Sequence, residues 1–177
     1  MRIIAGTLKG RRLQTPPPGD LRVRPTSDRA REALFSILQR WPRGPFLDLF
    51  AGTGAMALEA WSRGYAPVAC VEQETVALGC IKANARGTDV QVLPRDARRL
   101  RPDAFPPQTV VFADPPYEAG AELWRALAPK LRDWLHPEGV LVWETGLDVD
   151  LPAPEGLEEL ETRHYGAAVF HLFRVRG

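Results

Sequence analysis

From Pro45 onward, short runs of apolar residues alternate with stretches in which apolar residues recur every three to four positions. The first pattern is typical of buried β-strands and the second of amphipathic helices. The predicted strands cover residues 46–50, 68–72, 90–93, 109–113 and 140–144, and the predicted helices cover residues 55–62, 75–85 and 121–135. Such alternation predicts strand–helix–strand units around a parallel sheet.

The C-terminal part of the chain breaks this alternation. Residues 157–165 and 167–175 form two strand-like runs that meet at Gly166, with no room for a helix between them. Two strands joined this closely pair as an antiparallel hairpin. The sequence therefore predicts an α/β fold with a doubly wound, seven-stranded sheet that is mostly parallel and carries an antiparallel C-terminal hairpin at one edge.

Residues 1–44 predict a small hairpin–helix extension in front of the sheet. Residues 2–5 and 12–14 are short strand-like runs separated by two glycines, and the proline-rich run 15–19 is an irregular connector. Residues 30–41 place their apolar side chains on one helical stripe. No linker in the chain is long enough to make this extension an independent domain.

The helix of the extension has recognisable start and stop signals. Thr26 or Ser27 is the expected N-cap, because a side-chain oxygen there can accept a hydrogen bond from the first turn. Pro42 and Gly44 follow the last apolar position and end the helix.

The composition of the 177 residues, 45% apolar and 25% charged, is usual for one soluble globular domain. No stretch approaches the roughly 20 uncharged apolar residues of a membrane helix, and the N-terminus lacks the apolar core of a signal peptide, so we expect a cytoplasmic protein. Cys70 and Cys80 lack C-x-x-C spacing and a nearby His. We therefore expect them to be buried, and we predict neither a disulfide framework nor a bound metal.

Charge is distributed unevenly along the chain. Residues 1–44 contain ten Lys or Arg and three acidic residues, a net charge of +7, whereas the remaining 133 residues carry −6. A basic segment of this kind indicates an anionic partner such as a nucleic acid, because Lys and Arg gain affinity by releasing counterions from phosphates. A solvated basic face is the alternative.

A glycine loop follows the first predicted strand, with Gly52 and Gly54 where backbone can approach a ligand closely. The spacing G-x-G-x-x-A fits a dinucleotide fingerprint, and Glu72 lies twenty residues after Gly52, as expected for a carboxylate that binds ribose hydroxyls. Asp48 would repel a pyrophosphate but suits a cation, such as the sulfonium and ammonium groups of S-adenosylmethionine. These residues predict a cofactor site, although a strand–helix turn without a ligand would use the same glycines.

Asp96 extends this predicted site along the edge of the sheet. It follows the third predicted strand, so the first three strands all end in acidic residues at the edge where open α/β sheets bind ligands. Its carboxylate could accept a hydrogen bond from the exocyclic amine of an adenine. The alternative is an ion pair with Arg95, Arg98 or Arg99.

A rigid tetrapeptide, Asp114-Pro115-Pro116-Tyr117, directly follows the fourth predicted strand. Two consecutive prolines cannot donate to a β-ladder, and each pushes the preceding residue toward extended geometry. The segment thus presents the Asp114 carboxylate and the Pro115 carbonyl as two fixed acceptors, with the Tyr117 ring close by. Two acceptors and a ring suit an exocyclic amino group on a flat base; a proline-rich turn is the alternative.

The glycine loop and this tetrapeptide together resemble the class I S-adenosylmethionine-dependent amino-methyltransferases, which have a Rossmann-like fold. The residues of the extension make the chain similar, within that class, to bacterial small-subunit ribosomal RNA guanine-N2 methyltransferases. The resemblance covers essentially the whole chain, and Ala57 is a mild departure that keeps a small residue. It rests on Met1-Arg-Ile-Ile-Ala-Gly6, Gly10-Arg11, Arg24-Pro25-Thr26, Asp28-Arg29, Arg31-Glu-Ala-Leu-Phe35 and Asp48-Leu-Phe-Ala-Gly-Thr-Gly54.

This resemblance implies transfer of a methyl group from S-adenosylmethionine to the N2 amine of a guanine in small-subunit ribosomal RNA. The partner would be this RNA or the small ribosomal subunit, with residues 1–44 positioning the RNA and residues 45–177 forming the methyltransferase domain, and we expect a monomer. The implied site residues are Asp48, Gly52, Gly54, Glu72 and Asp96 for the cofactor, Asp114, Pro115, Pro116 and Tyr117 for catalysis, and Arg11, Arg12, Arg22, Arg24 and Thr26 for the substrate.

Three other functions remain open from the sequence. A DNA or RNA adenine-N6 or cytosine-N4 methyltransferase uses the same tetrapeptide chemistry, although adenine-N6 enzymes often carry Asn where this chain has Asp114. A Rossmann oxidoreductase would use the glycine loop for NAD. A non-catalytic RNA-binding or assembly factor would use only the basic extension.

Overall fold

The computed structural model describes residues 1–17 and 27–177. Seven strands in these ranges form one sheet with the order β3-β2-β1-β4-β5-β7-β6. The strands are β1 (Phe46–Asp48), β2 (Val68–Glu72), β3 (Gln91–Pro94), β4 (Gln108–Ala113), β5 (Leu135–Thr145), β6 (Leu157–Tyr165) and β7 (Ala168–Val175). The helices are α1 (Asp28–Leu38), α2 (Ala55–Ser62), α3 (Thr75–Asn84) and α4 (Gly120–Trp134), with 3₁₀ turns at Ala97–Arg99 and Tyr117–Ala119.

The direction of the strands shows at which edge of the sheet a ligand can bind; this edge, where the parallel strands end, is called the ligand edge. Strands β1 to β5 pair in parallel, and β1 lies between β2 and β4. Because β1 connects to β2 on one side while β4 lies on the other, the strand order reverses there. In open α/β sheets, this reversal places the ligand-binding crevice at the carboxyl ends of the two strands, here β1 and β4. This confirms the predicted doubly wound α/β sheet.

The C-terminal hairpin is present, but its strands do not follow chain order across the sheet. The second strand, β7, pairs antiparallel with both β5 and β6, so β6 forms the edge. The tight turn at Gly166 reverses the chain, so β7 runs antiparallel to β6 on one side and to β5 on the other.

Alternation along the strands divides the core into two layers. In β4, Val110 and Phe112 pack on the face that carries α1, α2, α3 and the N-terminal residues, whereas Val111 and Ala113 pack on the face that carries α4. The α4 face is rich in tryptophan, and Trp124 meets Trp143 edge to face with 4.7 Å between ring centroids. A sheet covered on both faces explains the nearly continuous apolar runs.

The largest difference between the predicted and the observed bounds of an element concerns β5, which begins at Leu135 although the sequence predicts a start at residue 140. Leu135 pairs with Gln108, and the ladder then shifts before Val140 pairs with Val110. Pro137 lies within this shift and has no N–H to donate. Pro137 and its neighbours therefore form a bulge within a longer strand, not a loop between α4 and β5.

Residues 1–17 form a hairpin that is held by one antiparallel bridge and a few backbone hydrogen bonds, without the two short strands that were predicted. Arg2 pairs with Arg12 in an antiparallel bridge, and the Ile3 N–H donates to the Arg11 carbonyl at 2.9 Å. Ser27 is the N-cap of α1, and its hydroxyl oxygen accepts from the Ala30 N–H at 3.1 Å. Thr26, the other candidate cap, lies outside the described residues.

A buried ionic cluster fixes this hairpin onto α2. The side chains of Glu59 and Arg31 are both essentially inaccessible, with 3.6 Å between Arg31 Nε and Glu59 Oε2. The Glu59 carboxylate also accepts from the backbone N–H groups of Ile4 at 2.8 Å and Ala5 at 3.0 Å, and from Arg63 Nε at 2.7 Å. The N-terminal chain therefore packs as part of the α1–α3 layer.

Two further expectations concern burial. Cys70 is buried as predicted, but Cys80 is half-buried because it lies on the partly exposed side of α3. No helix within residues 1–17 and 27–177 is long and apolar enough to cross a membrane.

Candidate active site

Three acidic residues from neighbouring strands lie at the ligand edge of the sheet. Asp48 ends β1, Glu72 ends β2, and Asp114 follows β4. Asp48 stands in register with Cys70 of β2 and Phe112 of β4, which places the three carboxylates around the crevice. In the part of the chain that the structure describes, no three His, Cys, Asp or Glu side chains are grouped so as to hold a metal ion.

Asp48 is a buried carboxylate whose hydrogen bonds are incomplete. It is 1% exposed, and its Oδ1 accepts from the Phe50 N–H at 3.3 Å. Its Oδ2 has no hydrogen-bond partner among the described residues. Burial, with smaller contributions from the negative charges of Asp114 and Glu72, raises the pKa of Asp48 to about 8. A cationic group in the crevice would offset both the burial of this carboxylate and the missing hydrogen bond of its Oδ2.

We expect a cationic cofactor to displace the Asp48 proton. Below pH 8 the free carboxyl is largely neutral, so binding of S-adenosylmethionine at about pH 7 should release a proton, and affinity should rise with pH until the carboxyl is ionised. Calorimetric titration in two buffers of different ionisation enthalpy measures this release. Asp48→Asn, which has no proton to lose, is the control. Equal proton release by both proteins would contradict the ion pair.

The glycine loop between β1 and α2 needs its glycines for packing against α3 as well as for the close approach of a ligand. Gly54 is the N-cap of α2 with φ +81°, and a Cβ atom there would lie 2.5 Å from Ile81 Cγ1 of α3. Glycine is therefore required at this position by backbone conformation and by the close approach of α3. Gly52 also has positive φ, at 55°. The loop consequently has one fixed shape, in which the Gly54 N–H donates to the Ala51 carbonyl at 2.7 Å.

Glu72 holds the glycine loop in place. Its Oε2 accepts from the Gly52 N–H at 2.7 Å, and its Oε1 accepts from the N–H groups of Gln73 and Glu74, each at 2.7 Å. Three backbone donors orient the carboxylate at the edge of the crevice. The predicted ribose acceptor is thus preorganised beside the glycine loop.

Replacing Glu72 with alanine should weaken binding of S-adenosylmethionine by about tenfold or more, because ribose hydroxyls would lose their acceptor and the Gly52 N–H its partner. Calorimetry on wild type and Glu72→Ala measures the change. Glu74→Ala, which removes an exposed carboxylate two residues away, should bind the cofactor normally. An unchanged affinity in Glu72→Ala would remove Glu72 from the cofactor site.

Asp96 has the ion pair that the sequence offered as its alternative role. Its two oxygens accept from the Arg98 guanidinium at 2.8–3.1 Å and from the Arg98 backbone N–H at 2.9 Å. The Arg98 hydrogen bonds hold the pKa of Asp96 below its usual value. Asp96 caps the 3₁₀ turn Ala97–Arg99, and an adenine-binding role stays a prediction.

The tetrapeptide 114–117 follows β4 and lies beside Asp48, which ends the neighbouring strand β1. Pro115 is buried, Asp114 is half-buried, and Pro116 and Tyr117 are exposed, the tyrosine at 46%. The Asp114 charge is close enough to contribute to the raised pKa of Asp48. A Cβ atom added to Gly146, just after β5, would lie 3.7 Å from Cε1 of the Tyr117 ring, so this ring stands against the start of the next loop.

Asn84 ties the N-terminal segment to the glycine loop, a role that the sequence analysis missed. Its side chain is buried and accepts from the Gln14 N–H at 2.7 Å, while its amide donates to the Gln14 and Thr53 carbonyls at 3.0 and 2.9 Å. A polar residue at the buried end of an apolar helix is the signal that could have revealed it.

The predicted substrate-binding residues are only partly within the described ranges. Arg12 is exposed, whereas Arg11 donates through Nη2 to the Arg86 carbonyl at 2.9 Å and so is partly engaged within the protein. Arg22, Arg24 and Thr26 lie outside the described residues.

The sheet order, the glycine loop and the position of the tetrapeptide together define a class I methyltransferase fold. A hypothetical protein of Thermus thermophilus has the same fold, with 33% identity, a TM-score of 0.80 and coverage of 99% of each chain. The predicted S-adenosylmethionine cofactor is confirmed at the level of this class.

Residues 1–174 match the family described as "Conserved hypothetical protein 95", and the chain belongs to this family. Several related proteins bear the name "Ribosomal RNA small subunit methyltransferase D", among them those of Escherichia coli K12 and Haemophilus influenzae. That of Escherichia coli K12 is 35% identical over 159 residues, spanning 86% of this chain and 78% of its own length. That of Haemophilus influenzae is 31% identical over 183 residues, spanning 98% and 93%. The resemblance predicted from the sequence is thereby confirmed.

Proposed function

We propose that this protein transfers a methyl group from S-adenosylmethionine to the exocyclic N2 amine of a guanine in small-subunit ribosomal RNA. The observation that carries the proposal is the tetrapeptide 114–117, which lies at the end of β4 directly beside the buried Asp48 and the glycine loop. Relatives named as small-subunit ribosomal RNA methyltransferases support the class of substrate.

The crevice fits S-adenosylmethionine in both charge and shape. The unpartnered Oδ2 of Asp48 would face a cationic group, the loop from Gly52 to Gly54 would allow close approach, and Glu72 would accept from the ribose hydroxyls. When bound, the cofactor supplies a methyl group on a positively charged sulfur. A buried acidic site favours this cation over the anionic pyrophosphate of NAD.

The tetrapeptide would activate a poor nucleophile. The lone pair of a guanine N2 is delocalised into the ring, so the nitrogen must become more tetrahedral to attack a methyl carbon. Asp114 and the Pro115 carbonyl would accept hydrogen bonds from its two N–H groups, draw it toward that geometry and stabilise the positive charge that develops on it. The nitrogen would lose one of these protons once it carries the methyl group, and the cofactor would leave as a neutral thioether. The buried Pro115 holds the acceptors at fixed positions, which aligns the nitrogen for in-line displacement.

The substrate would reach this site from the exposed side of the tetrapeptide. The exposed Tyr117 ring would stack on the target guanine, which must be unpaired or splayed from its helix. Residues 1–44 would position the RNA through phosphate contacts, and residues 45–177 would form the methyltransferase domain. The protein would act in the cytoplasm as a monomer.

The test is incubation of the purified protein with labelled S-adenosylmethionine and small-subunit RNA or subunits that lack the modification. The proposal predicts label in the RNA, and a rise in melting temperature with S-adenosylmethionine but not with NAD. RNA binding without label would make the protein a binding factor. A melting temperature that rises with NAD but not with S-adenosylmethionine would indicate an oxidoreductase.

A further inference from the structure

The exposed apolar side chains of this protein are concentrated at the ligand edge of the sheet. Within residues 1–17 and 27–177, the large apolar side chains that remain exposed are Val76, Tyr117, Leu147 and Val149. Each of them follows the carboxyl end of a strand, namely β2, β4 or β5. Val76 lies apart from the others, in the first turn of α3, whereas Tyr117, Leu147 and Val149 follow the neighbouring strands β4 and β5. Apolar side chains grouped in this way beside a reactive site indicate a contact surface rather than chance exposure.

Leu147 and Val149 belong to one short loop that adjoins the tetrapeptide. Leu147 is 55% exposed and Val149 is 45% exposed, whereas the residues that flank the loop, Thr145 and Leu151, are buried. Gly146 at the start of the loop lies against the Tyr117 ring. The buried ends anchor the loop, and its apolar side chains extend the surface that begins at Tyr117.

The backbone of this loop is held in an uncommon conformation. Asp148 has φ +61° and, among the described residues other than glycine, it alone has positive φ. Side chains disfavour this region, so the conformation persists only where the anchored ends impose it. Leu147 and Val149 flank Asp148, and both are exposed.

We propose that Leu147 and Val149 contact the faces of the unpaired nucleobases that flank the target guanine, and so position the RNA for methylation. The occupant is a base rather than a phosphate, because residues 146–150 carry Asp148 and Asp150 and no basic residue. Base faces are uncharged and apolar, and in unpaired RNA they are accessible. This inference rests on the proposed function and adds two positioning residues to it.

The test compares Leu147→Ser/Val149→Ser with wild type on naked, unmodified small-subunit RNA. We expect the KM for RNA to rise about tenfold, with kcat and the affinity for S-adenosylmethionine unchanged, because only uniform contacts to the RNA are lost. The matched control is Val76→Ser, which changes an exposed apolar residue in the first turn of α3. The strand that precedes α3, β2, lies three strand spacings, or roughly 14 Å, from β5, so the KM of this variant should stay at the wild-type value.

Two variants of Asp148 test the role of the loop conformation. Asp148→Gly can keep positive φ and should retain the wild-type KM, whereas Asp148→Val disfavours it and should raise the KM as the double serine variant does. Wild-type KM values in the double variant, or an equal rise in Val76→Ser, would overturn the inference while leaving methylation intact. If the KM of the double serine variant rises on assembled subunits but not on naked RNA, the loop contacts a protein of the subunit and not the bases. Absence of methyl transfer by wild type on both naked RNA and assembled subunits would instead contradict the proposed function.

Discussion

Replacing Asp114 with alanine is expected to lower the single-turnover rate of methyl transfer about a hundredfold or more. The substitution removes one of two acceptors that matter chiefly when positive charge builds on the attacking nitrogen. Affinity for S-adenosylmethionine should change far less, because the proposed cofactor contacts lie on the glycine loop and Glu72. The expected loss therefore falls on turnover rather than on binding.

The Asp114→Asn variant separates hydrogen bonding from charge. Asparagine keeps the shape and one acceptor oxygen, so it should retain more activity than alanine if hydrogen bonding dominates and should resemble alanine if charge dominates. The rates are measured with saturating S-adenosylmethionine on wild type and both variants, with cofactor affinity measured in parallel. Asp133→Ala, which removes an exposed carboxylate on α4, should react at the wild-type rate. A near-wild-type rate in Asp114→Ala would refute the catalytic role of the tetrapeptide.

The second large effect concerns stability. Glu59→Ala should lower the free energy of unfolding by about 3–5 kcal/mol, because it leaves the Arg31 guanidinium buried without a counter-charge on that side. The backbone N–H groups of Ile4 and Ala5 would lose their acceptor as well. Burial already lowers the pKa of Arg31, and the Glu59 charge opposes this shift.

Urea unfolding of Glu59→Ala measures this effect. Glu32→Ala, which removes an exposed carboxylate on α1, should stay within about 0.5 kcal/mol of wild type. Adding Arg31→Met to Glu59→Ala should restore part of the loss, since the buried charge is then gone. An unfolding free energy of Glu59→Ala equal to that of Glu32→Ala would show that the cluster does not fix the N-terminal hairpin.

The fold could be predicted from the sequence because a sheet covered on both faces leaves a strong one-dimensional pattern. The apolar run at β2 and the helical pattern at α2 have the same bounds in sequence and structure, since Gly54 and Glu72 mark their ends chemically. The start of β5 could not be predicted in this way. A bulge around Pro137 depends on pairing with β4, which no local pattern records.

The candidate site was predicted to the extent that its residues lie at strand ends. Parallel strands bring their carboxyl ends to one edge, so Asp48, Glu72 and Asp114 could be placed together from their positions alone. Arg31 shows the limit of this reasoning. It contributes to the basic charge of residues 1–44, yet it is fully buried, because its partner Glu59 comes from another helix far along the chain.

The most direct test of the account is nucleoside analysis of the methylated product. Unmodified small-subunit RNA is incubated with labelled S-adenosylmethionine and the wild-type protein, digested to nucleosides and separated. The account predicts that the label appears in N2-methylguanosine. With Asp114→Ala in place of wild type, the amount of this labelled nucleoside should fall by the same factor as the rate of methyl transfer. Label in N6-methyladenosine or N4-methylcytidine would contradict it.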